Sequence, residues 1–468
     1  MESSSVPVIS PMPKEDVPRE LRRDLGVSHA TAVVVGTIIG SGVFLVPQEM
    51  MQAVGSAKVV YLAWIVGGLL SLFGALTYAE LGAMKPQAGG EYVYVRDGYG
   101  PLGGFLYMWT WFTLAKPASI ASVTTGIVRV LGTFHFFHFF SAALMTRPIV
   151  ITYGQIFAIL CTVLISALNY LGIKRAGAFQ LVFTVLKVVM ILAIVFISFS
   201  YAGGSAHNFT SVFTGAKGGI SGFVIALVAA LWAYDGWNDL NMVAGEIKDP
   251  GRTIPIALIA GVFIVAVLYM ATNAAVQFAL PAASVATSPR PASDAVYLAI
   301  GAVGATLVSI GMAISMLVTL NGTAMSGARI PYAAARDGYF FKGLAEVHPR
   351  FRTPSTSIVV QALLASILLL LIGKFQALFS LAIFSEWLFY MIAASTLFVF
   401  RRRDPALHRP YRTWGYPVVP ALFIASSAIL LSLTFRENFR SSSIGLLVIL
   451  AGIPVFKYFQ RRKARQEC

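Results

Sequence analysis

The sequence predicts an all-α polytopic membrane protein, and three observations carry that prediction. Of 468 residues, 57% are hydrophobic and 12% charged, where soluble domains average about 45–50% and ~25%. The mean hydropathy is +0.75. Apolar runs of about twenty residues recur along the whole chain, each long enough to cross a bilayer as a helix. A chain this poor in charge cannot cover a soluble globule of its size. That excludes a soluble enzyme, a nucleic-acid binder and a disulfide-stapled secreted domain. Length alone would give about three soluble domains, but composition overrides it.

The elements follow in order. Residues 1–28 are a polar, proline-containing tail with Lys14, Arg19, Arg22 and Arg23. The tail lacks the apolar core of a signal peptide, so the first apolar segment serves as the insertion signal. Twelve spans follow, at 29–55, 58–83, 102–131, 148–170, 177–200, 219–245, 255–280, 296–328, 355–373, 375–400, 414–435 and 442–459, before a basic tail over 461–468. An even count places both ends on one side. The two tails and the alternate loops they share a side with hold 25 of the 35 Lys and Arg residues, and the opposite loops hold eight. By the positive-inside rule both termini are cytoplasmic, in a plasma (cell inner) membrane. The net charge of +15 is therefore topological and needs no polyanion partner. Cys161 lies inside an apolar run and Cys468 ends the chain, so neither a disulfide framework nor a cysteine metal site is expected.

Two spans are interrupted. The first carries Gly36-Thr37-Ile38-Ile39-Gly40-Ser41-Gly42 near its middle, and the sixth carries Trp232-Ala233-Tyr234-Asp235-Gly236-Trp237-Asn238 at similar depth. Gly42 and Gly236 are 194 residues apart, and the second and third spans recur at nearly the same offset. Five spans separate the breaks, so the second copy enters from the opposite face. This is an inverted 5+5 repeat, with a first repeat over 29–200, a second over 201–401 and accessory spans over 402–460. Irregular backbone at mid-membrane depth survives only where it is buried or lines a cavity. The two breaks therefore nominate a binding site.

The chemistry of that site follows from helix ends. In the first span one half ends near Ile38 and Ile39 with open carbonyls, and the other begins at Ser41–Val43 with open N–H groups at the positive end of a dipole. In the sixth, carbonyls end near Trp232 and Ala233, and the next half starts around Gly236. An α-amino acid carries an anion and a cation one carbon apart, which suits such a pair of ends. Glycine lets backbone approach a ligand without a Cβ in the way. Gly36-xxx-Gly40 taken alone reads equally well as a helix-packing pair.

These residues resemble the amino acid–polyamine–organocation superfamily. Gly40-Ser41-Gly42-Val43-Phe44, Ala233-Tyr234-Asp235-Gly236-Trp237-Asn238, Asn321-Gly322 leading to Arg329, and Ala335-Arg336-Asp337-Gly338 carry the likeness. The branch is similar to the L-type amino acid transporters and their bacterial alanine/serine/cysteine and serine/threonine exchanger relatives. The resemblance implies a LeuT-like fold of twelve helices, alternating access and no cofactor. It implies substrate contacts over Ile38, Ile39, Gly40, Ser41, Gly42, Trp232, Ala233, Tyr234, Asp235, Gly236 and Asn238. Among these, the Ser41 and Gly42 amides would hold the carboxylate and the Ile38, Trp232 and Asp235 carbonyls the ammonium, with Trp232 as outer lid. Animal members bear a cysteine in the second outer loop that joins a glycoprotein partner. Here that loop, residues 132–149, has none, so no disulfide-linked heavy chain is expected.

Lone polar residues complete the reading. Lys187 lies about ten residues from the nearer span end, ~15 Å deep, beyond easy snorkelling. A charge there is a functional candidate. The resemblance places its ammonium where relatives bind sodium, with Thr319 and Tyr269 as partners, although a structural counter-ion reads as well. Lys116 precedes Pro117 within the third span and reads either as a structural pair that neutralises Asp235 or Glu386 or as a substrate contact. Glu386 is the candidate protonatable coupling group. Tyr269 and Asn273 share one helix face. Gly98–Gly103 spells a dinucleotide fingerprint by coincidence, since no strand precedes it. His135 and His138 lie in an aromatic loop typical of the bilayer interface, and Asn208-Phe209-Thr210 is a sequon on the outer side. The expected function is sodium-independent exchange of neutral L-amino acids, with proton-coupled symport through Glu386 or Asp235 as the alternative. An intramembrane enzyme and a broken-helix channel are rival classes, and saturable solute turnover separates a carrier from both.

Overall fold

The computed structural model describes residues 21–146, 150–373, 375–437 and 439–467. Lys14 and Arg19 of the N-terminal tail, Arg147, Lys374 and Cys468 lie outside the described residues. The chain is helical almost throughout. In order come α1 (Val27–Ile38), α2 (Gly42–Val54), α3 (Ala57–Met84), α4 (Glu91–Tyr99), α5 (Pro101–Thr110) and α6 (Lys116–Leu131). A short hairpin, β1 (Ala143–Met145) with β2 (Ile151–Thr152), precedes α7 (Tyr153–Tyr170) and α8 (Ile173–Phe199). Then follow α9 (Gly219–Tyr234), α10 (Asp239–Met242), α11 (Pro250–Ala279), α12 (Ala282–Thr287), α13 (Pro291–Gly327) and α14 (Arg329–Arg336). The last four are α15 (Ser355–Ile372), α16 (Phe375–Arg403), α17 (Val418–Glu437) and α18 (Phe439–Glu467).

Among the described residues, ten helical stretches are long and apolar enough to cross a membrane. The chain is a multi-pass membrane protein. The two expected spans outside those ten, 102–131 and 219–245, are each divided. The 102–131 stretch changes to a π-turn over Trp111–Ala115. Pro117 cannot donate to the carbonyl one turn back, so the helix widens just before it. The 219–245 stretch divides into α9 and α10 around an extended Asp235.

Local signals explain several boundaries. A capping box between Thr152 and Gln155 starts α7, and Pro101 and Pro250 sit in first turns, where a missing N–H does no harm. Two elements differ from expectation. Residues 85–101 are not an open loop but contain α4, and α12 stands between α11 and α13. Neither carries an apolar run to announce it. α4 forms because its polar groups find partners elsewhere in the fold: Glu91 on Asn238, and Arg96 and Tyr92 on Asp337.

α1 and α2 run through the centre of the bundle and are almost wholly buried, whereas α8 and α15 turn much of their surface outward. Glycines permit the central packing. A Cβ on Gly36 would meet Thr184 and Gln180 of α8, one on Gly261 would meet Val34, and one on Gly322 would meet Thr37. Gly36 is thus a close-packing residue, the role its spacing to Gly40 left open.

Candidate functional site

The first break opens where α1 ends at Ile38 and Ile39 leaves the helix. The first bond of α2 runs from the Phe44 amide to the Ser41 carbonyl, at 3.2 Å. The amides of Ser41, Gly42 and Val43 precede it and are the open donors of a helix start. The orphaned carbonyls on the other side of the break are bound by side chains. Lys187 Nζ donates to the carbonyls of Gly36 (2.8 Å), Ile39 (2.5 Å) and Ser315 (3.1 Å). Thr319 donates to Gly36 and Ile39 at 3.2 and 3.1 Å, and the Ser315 hydroxyl to Ile39 at 3.0 Å. Lys187 is 1% exposed. It ties α1 to α13 through main-chain oxygens and not through the expected Thr319 and Tyr269 side chains: Thr319 shares the Gly36 and Ile39 carbonyls with it, and Tyr269 binds the Ile38 and Ala233 carbonyls.

The second break runs through Asp235, whose backbone is extended, and Gly236, whose φ is +101°. That left-handed φ suits glycine alone, and a Cβ there would also stand 2.8 Å from Thr37 Cγ2. The two breaks touch at Gly42, where an added Cβ would lie 2.6 Å from the Ala233 Cα. Tyr269 bridges them, its hydroxyl donating to the Ile38 carbonyl at 3.0 Å and the Ala233 carbonyl at 2.9 Å. Asn273 turns back to the carbonyl of Tyr269 in its own helix, at 2.8 Å.

Between the breaks lies a polar cavity. One wall is Ile38, Gly40, Ser41 and Gly42, and the facing wall is Trp232, Asp235 and Gly236. Lys116, Asp239, Thr319, Thr37, Ser119, Val123 and Thr323 close the rest. Several expected residues stand behind this lining. Ala233 packs on Gly42, the Tyr234 ring packs edge-on to Trp64 and tilted against Tyr269, and the Ile39 carbonyl is occupied by Lys187. Asn238 donates to Glu91 Oε1 at 2.6 Å and accepts from the Tyr390 hydroxyl at 3.1 Å, so its side chain braces the break.

Lys116 does not pair with Asp235 or Glu386. Its ammonium donates to Asp239, and both groups are buried. The π-turn displaces Lys116 along the helix face, and α10 presents Asp239 one turn beyond the expected Asp235. Asp235 instead accepts from Tyr390 at 2.8 Å. Glu386 lies within electrostatic reach of Lys116, Asp235, Asp239 and Glu91. Glu91, Asp239 and Tyr390 are participants that sequence reasoning missed. A signal existed for two of them: Asp239 follows Asp235 by four residues, and Tyr390 follows Glu386 by four.

At the N-terminal end of α1 a second network closes the bundle. Arg329 grips Glu246 with two bonds of 2.9 and 3.1 Å, both residues fully buried. The amides of Asp24 and Leu25 donate to the Glu246 carbonyl, and the Lys248 amide donates to Leu25, at 2.8–3.0 Å. Nearby, Lys85 and Arg96 flank Asp97. Partial burial raises its carboxyl pKa, but the two cations outweigh that and hold it below the usual carboxylate range.

Two broken helices that meet at Gly42 and Ala233, stapled by side chains and enclosing a polar cavity, define a membrane carrier. The chain belongs to the amino acid permease family, whose profile matches residues 25–455. It is 34% identical over 451 residues to the serine/threonine exchanger SteT of Bacillus subtilis (strain 168), covering 95% of this chain and 98% of that one. It is 30% identical over 441 residues to the cystine/glutamate transporter of Homo sapiens (94% and 86% covered). It is 31% identical over 400 residues to the b(0,+)-type amino acid transporter 1 of Oryctolagus cuniculus (84% and 79%). This places it in the amino acid–polyamine–organocation superfamily, among transporters and not enzymes.

Proposed function

We propose that this protein carries neutral L-amino acids across the plasma (cell inner) membrane by alternating access, exchanging one for another without sodium. The observation that carries the reading is the meeting of the two breaks at Gly42 and Ala233 around one polar cavity. The open amides of Ser41 and Gly42 take the substrate carboxylate. The carbonyls of Ile38, Trp232 and Asp235 take the ammonium group; Ile38 already accepts from Tyr269 but keeps a second lone pair. Trp232 closes over the ligand from outside. Lys187 supplies a fixed positive charge between α1 and α13, which removes the need for a bound sodium ion. The topology that fits is twelve spans with cytoplasmic termini, a 5+5 inverted repeat over 29–200 and 201–401 and two accessory helices. No disulfide-linked subunit takes part.

Counterflow in proteoliposomes tests this, with one amino acid inside and labelled amino acid outside. Uptake should require internal amino acid, and a methyl ester or N-methylated analogue should fail as substrate. A second reading, proton-coupled symport, draws on the crowding of Asp235, Asp239, Glu91 and Glu386 around the single ammonium of Lys116. It predicts accumulation into empty vesicles under an imposed pH gradient, where an exchanger takes up nothing.

A further inference from the structure

We propose that the outward face of α18, at its C-terminal end, docks the phosphate of an anionic phospholipid from the cytoplasmic leaflet. The inference rests on the topology proposed above and not on which solute is carried. Pro454, Lys457, Tyr458, Arg461, Arg462 and Arg465 line one groove. Their spacing of three and four residues puts all six on one helix face, and each is exposed. The opposite face of α18 is the docked one. Phe456 and Phe459 pack on Phe105 at 5.4 and 6.4 Å between ring centroids, and Lys463 donates to the Asp337 carbonyl at 2.9 Å.

The positive-inside rule accounts for basic residues on this side of the membrane, but not for four on one face without a partner. Elsewhere on this side cations find carboxylates: Arg401 with Glu80, Arg329 with Glu246, Lys85 with Asp97 and Arg403 with Asp404, at 2.7–3.1 Å. Lys457, Arg461, Arg462 and Arg465 have no ion-pair or hydrogen-bond partner among the described residues. Lys457 and Arg461, and Arg461 and Arg465, stand four apart, the spacing at which like charges oppose a helix. The helix dipole favours a cation in the last turn, which accounts for Arg465 alone. An anion lying along the face relieves the repulsion of all four.

Two features make that anion a lipid. The same face continues into the membrane through Leu450, Leu447 and Leu446, all exposed, a surface for acyl chains. Tyr458 stands where apolar gives way to basic, and a ring with a polar tip suits the bilayer interface. A ligand apolar along 446–454 and anionic along 457–465 is a phospholipid, and neither a free phosphate nor a nucleic acid has both parts. The docked face carries the consequence. Asp337, at the end of α14, takes Arg96 and Tyr92 of α4 through its carboxylate, so lipid on α18 steadies the contact of α18 with α14 and α4.

The test is the unfolding temperature of the purified full chain in neutral detergent. It is titrated with phosphatidylglycerol, with phosphatidylcholine of the same acyl chains, and with glycerol phosphate. Phosphatidylglycerol should raise it by several degrees, ~0.5 M salt should remove most of that rise, and the other two should do little at equal concentration. The variant Lys457→Gln/Arg461→Gln/Arg462→Gln/Arg465→Gln removes only exposed, unpaired charges. It should weaken the response to phosphatidylglycerol ~100-fold or more in concentration, at about 5-fold per cation. The control Lys174→Gln/Lys342→Gln, two exposed cations on the same side, should respond as the parent does. A parental response in the four-fold variant, an equal loss in the control, or an equal rise with phosphatidylcholine overturns the inference. An equal rise with glycerol phosphate overturns it as well, since the face would then hold any small anion. No rise with phosphatidylglycerol in the parent protein overturns it without any variant.

Discussion

Lys187 shows how one side chain can set a driving force. Three carbonyl oxygens converge on its ammonium, an arrangement of oxygens around a cation that a bound metal would otherwise need. Lys187→Ala would leave the Gly36 and Ile39 carbonyls to the Thr319 and Ser315 hydroxyls alone, and each buried hydrogen bond lost is destabilising by about 0.5–1.5 kcal/mol. Exchange should fall ~10-fold or more while membrane insertion is kept, since a buried charge is itself unfavourable in the bilayer. Lys187→Arg should fail as well, because a planar guanidinium cannot replace a compact ammonium. Parental exchange rates in either variant, measured in reconstituted vesicles, would return Lys187 to a counter-ion role. Trp232 carries a different prediction. It lines the cavity and remains slightly exposed, so Trp232→Ala should slow exchange several-fold more than it weakens equilibrium binding. Equal losses in both would make it a binding residue and not a lid. At this scale the sequence was informative about Lys187, whose depth in an apolar run is visible by counting. It was silent about Glu91, which sits in a polar segment, and the four-residue spacing that points to Asp239 does not say which carboxylate meets Lys116, because that depends on the exact turn of α10.

Among the elements, the breaks of α1–α2 and α9–α10 are held open by side chains from α8, α11 and α13. Sequence reading attributes the glycines to ligand approach, but the structure gives Gly42 a different first neighbour. Its Cβ would strike the Ala233 main chain, so Gly42→Val should separate the two breaks before it touches any ligand. Gly236→Val adds strain at a left-handed φ, which is unfavourable by about 1–3 kcal/mol. Both variants should abolish counterflow and lower the unfolding temperature of purified protein, whereas valine that only filled ligand space would leave that temperature unchanged. The Arg329–Glu246 clasp between α14 and the segment after α10 gives a second test. Removing one partner leaves a buried charge alone and should destabilise by about 3–5 kcal/mol, while Arg329→Met/Glu246→Leu should recover part of the loss. A double variant less stable than either single one would contradict this. The breaks were legible because glycine and a carboxylate interrupt otherwise apolar runs. α4 was not, since its stability comes from the Arg96–Asp337 ion pair and from hydrogen bonds of Tyr92 to Asp337 and of Asn238 to Glu91, contacts no local pattern announces.

For the whole molecule, composition and the Lys and Arg distribution indicated a membrane protein of many spans, and the helices described fall on all twelve apolar runs. What the sequence could not supply is how those helices choose neighbours. The 194-residue offset between Gly42 and Gly236 pairs the breaks in the chain, but only the packed bundle brings Gly42 onto Ala233. The same packing hides Asn238, Tyr234 and the Ile39 carbonyl from the cavity they were expected to line. The depressed Asp97 carboxyl bears on the assembled protein too. A carboxyl whose folded pKa lies below its unfolded value stabilises at all pH values above the unfolded one, ~3.9, and loses that contribution as pH falls through the folded value. The Asp97→Asn variant should therefore be less stable than the parent at pH 7, and the gap should close as pH falls through the folded value. A gap independent of pH would assign the effect to packing.

The central claim is that a cavity between two broken helices exchanges neutral amino acids without sodium, and one measurement bears on it most directly. Purified protein is reconstituted in vesicles loaded with unlabelled serine, and uptake of labelled serine is followed in choline, potassium and sodium buffers. Equal uptake in all three, lost when the vesicles are empty and not competed by serine methyl ester, is the predicted result. Uptake that appears only in sodium, or that proceeds equally into empty vesicles, would contradict it.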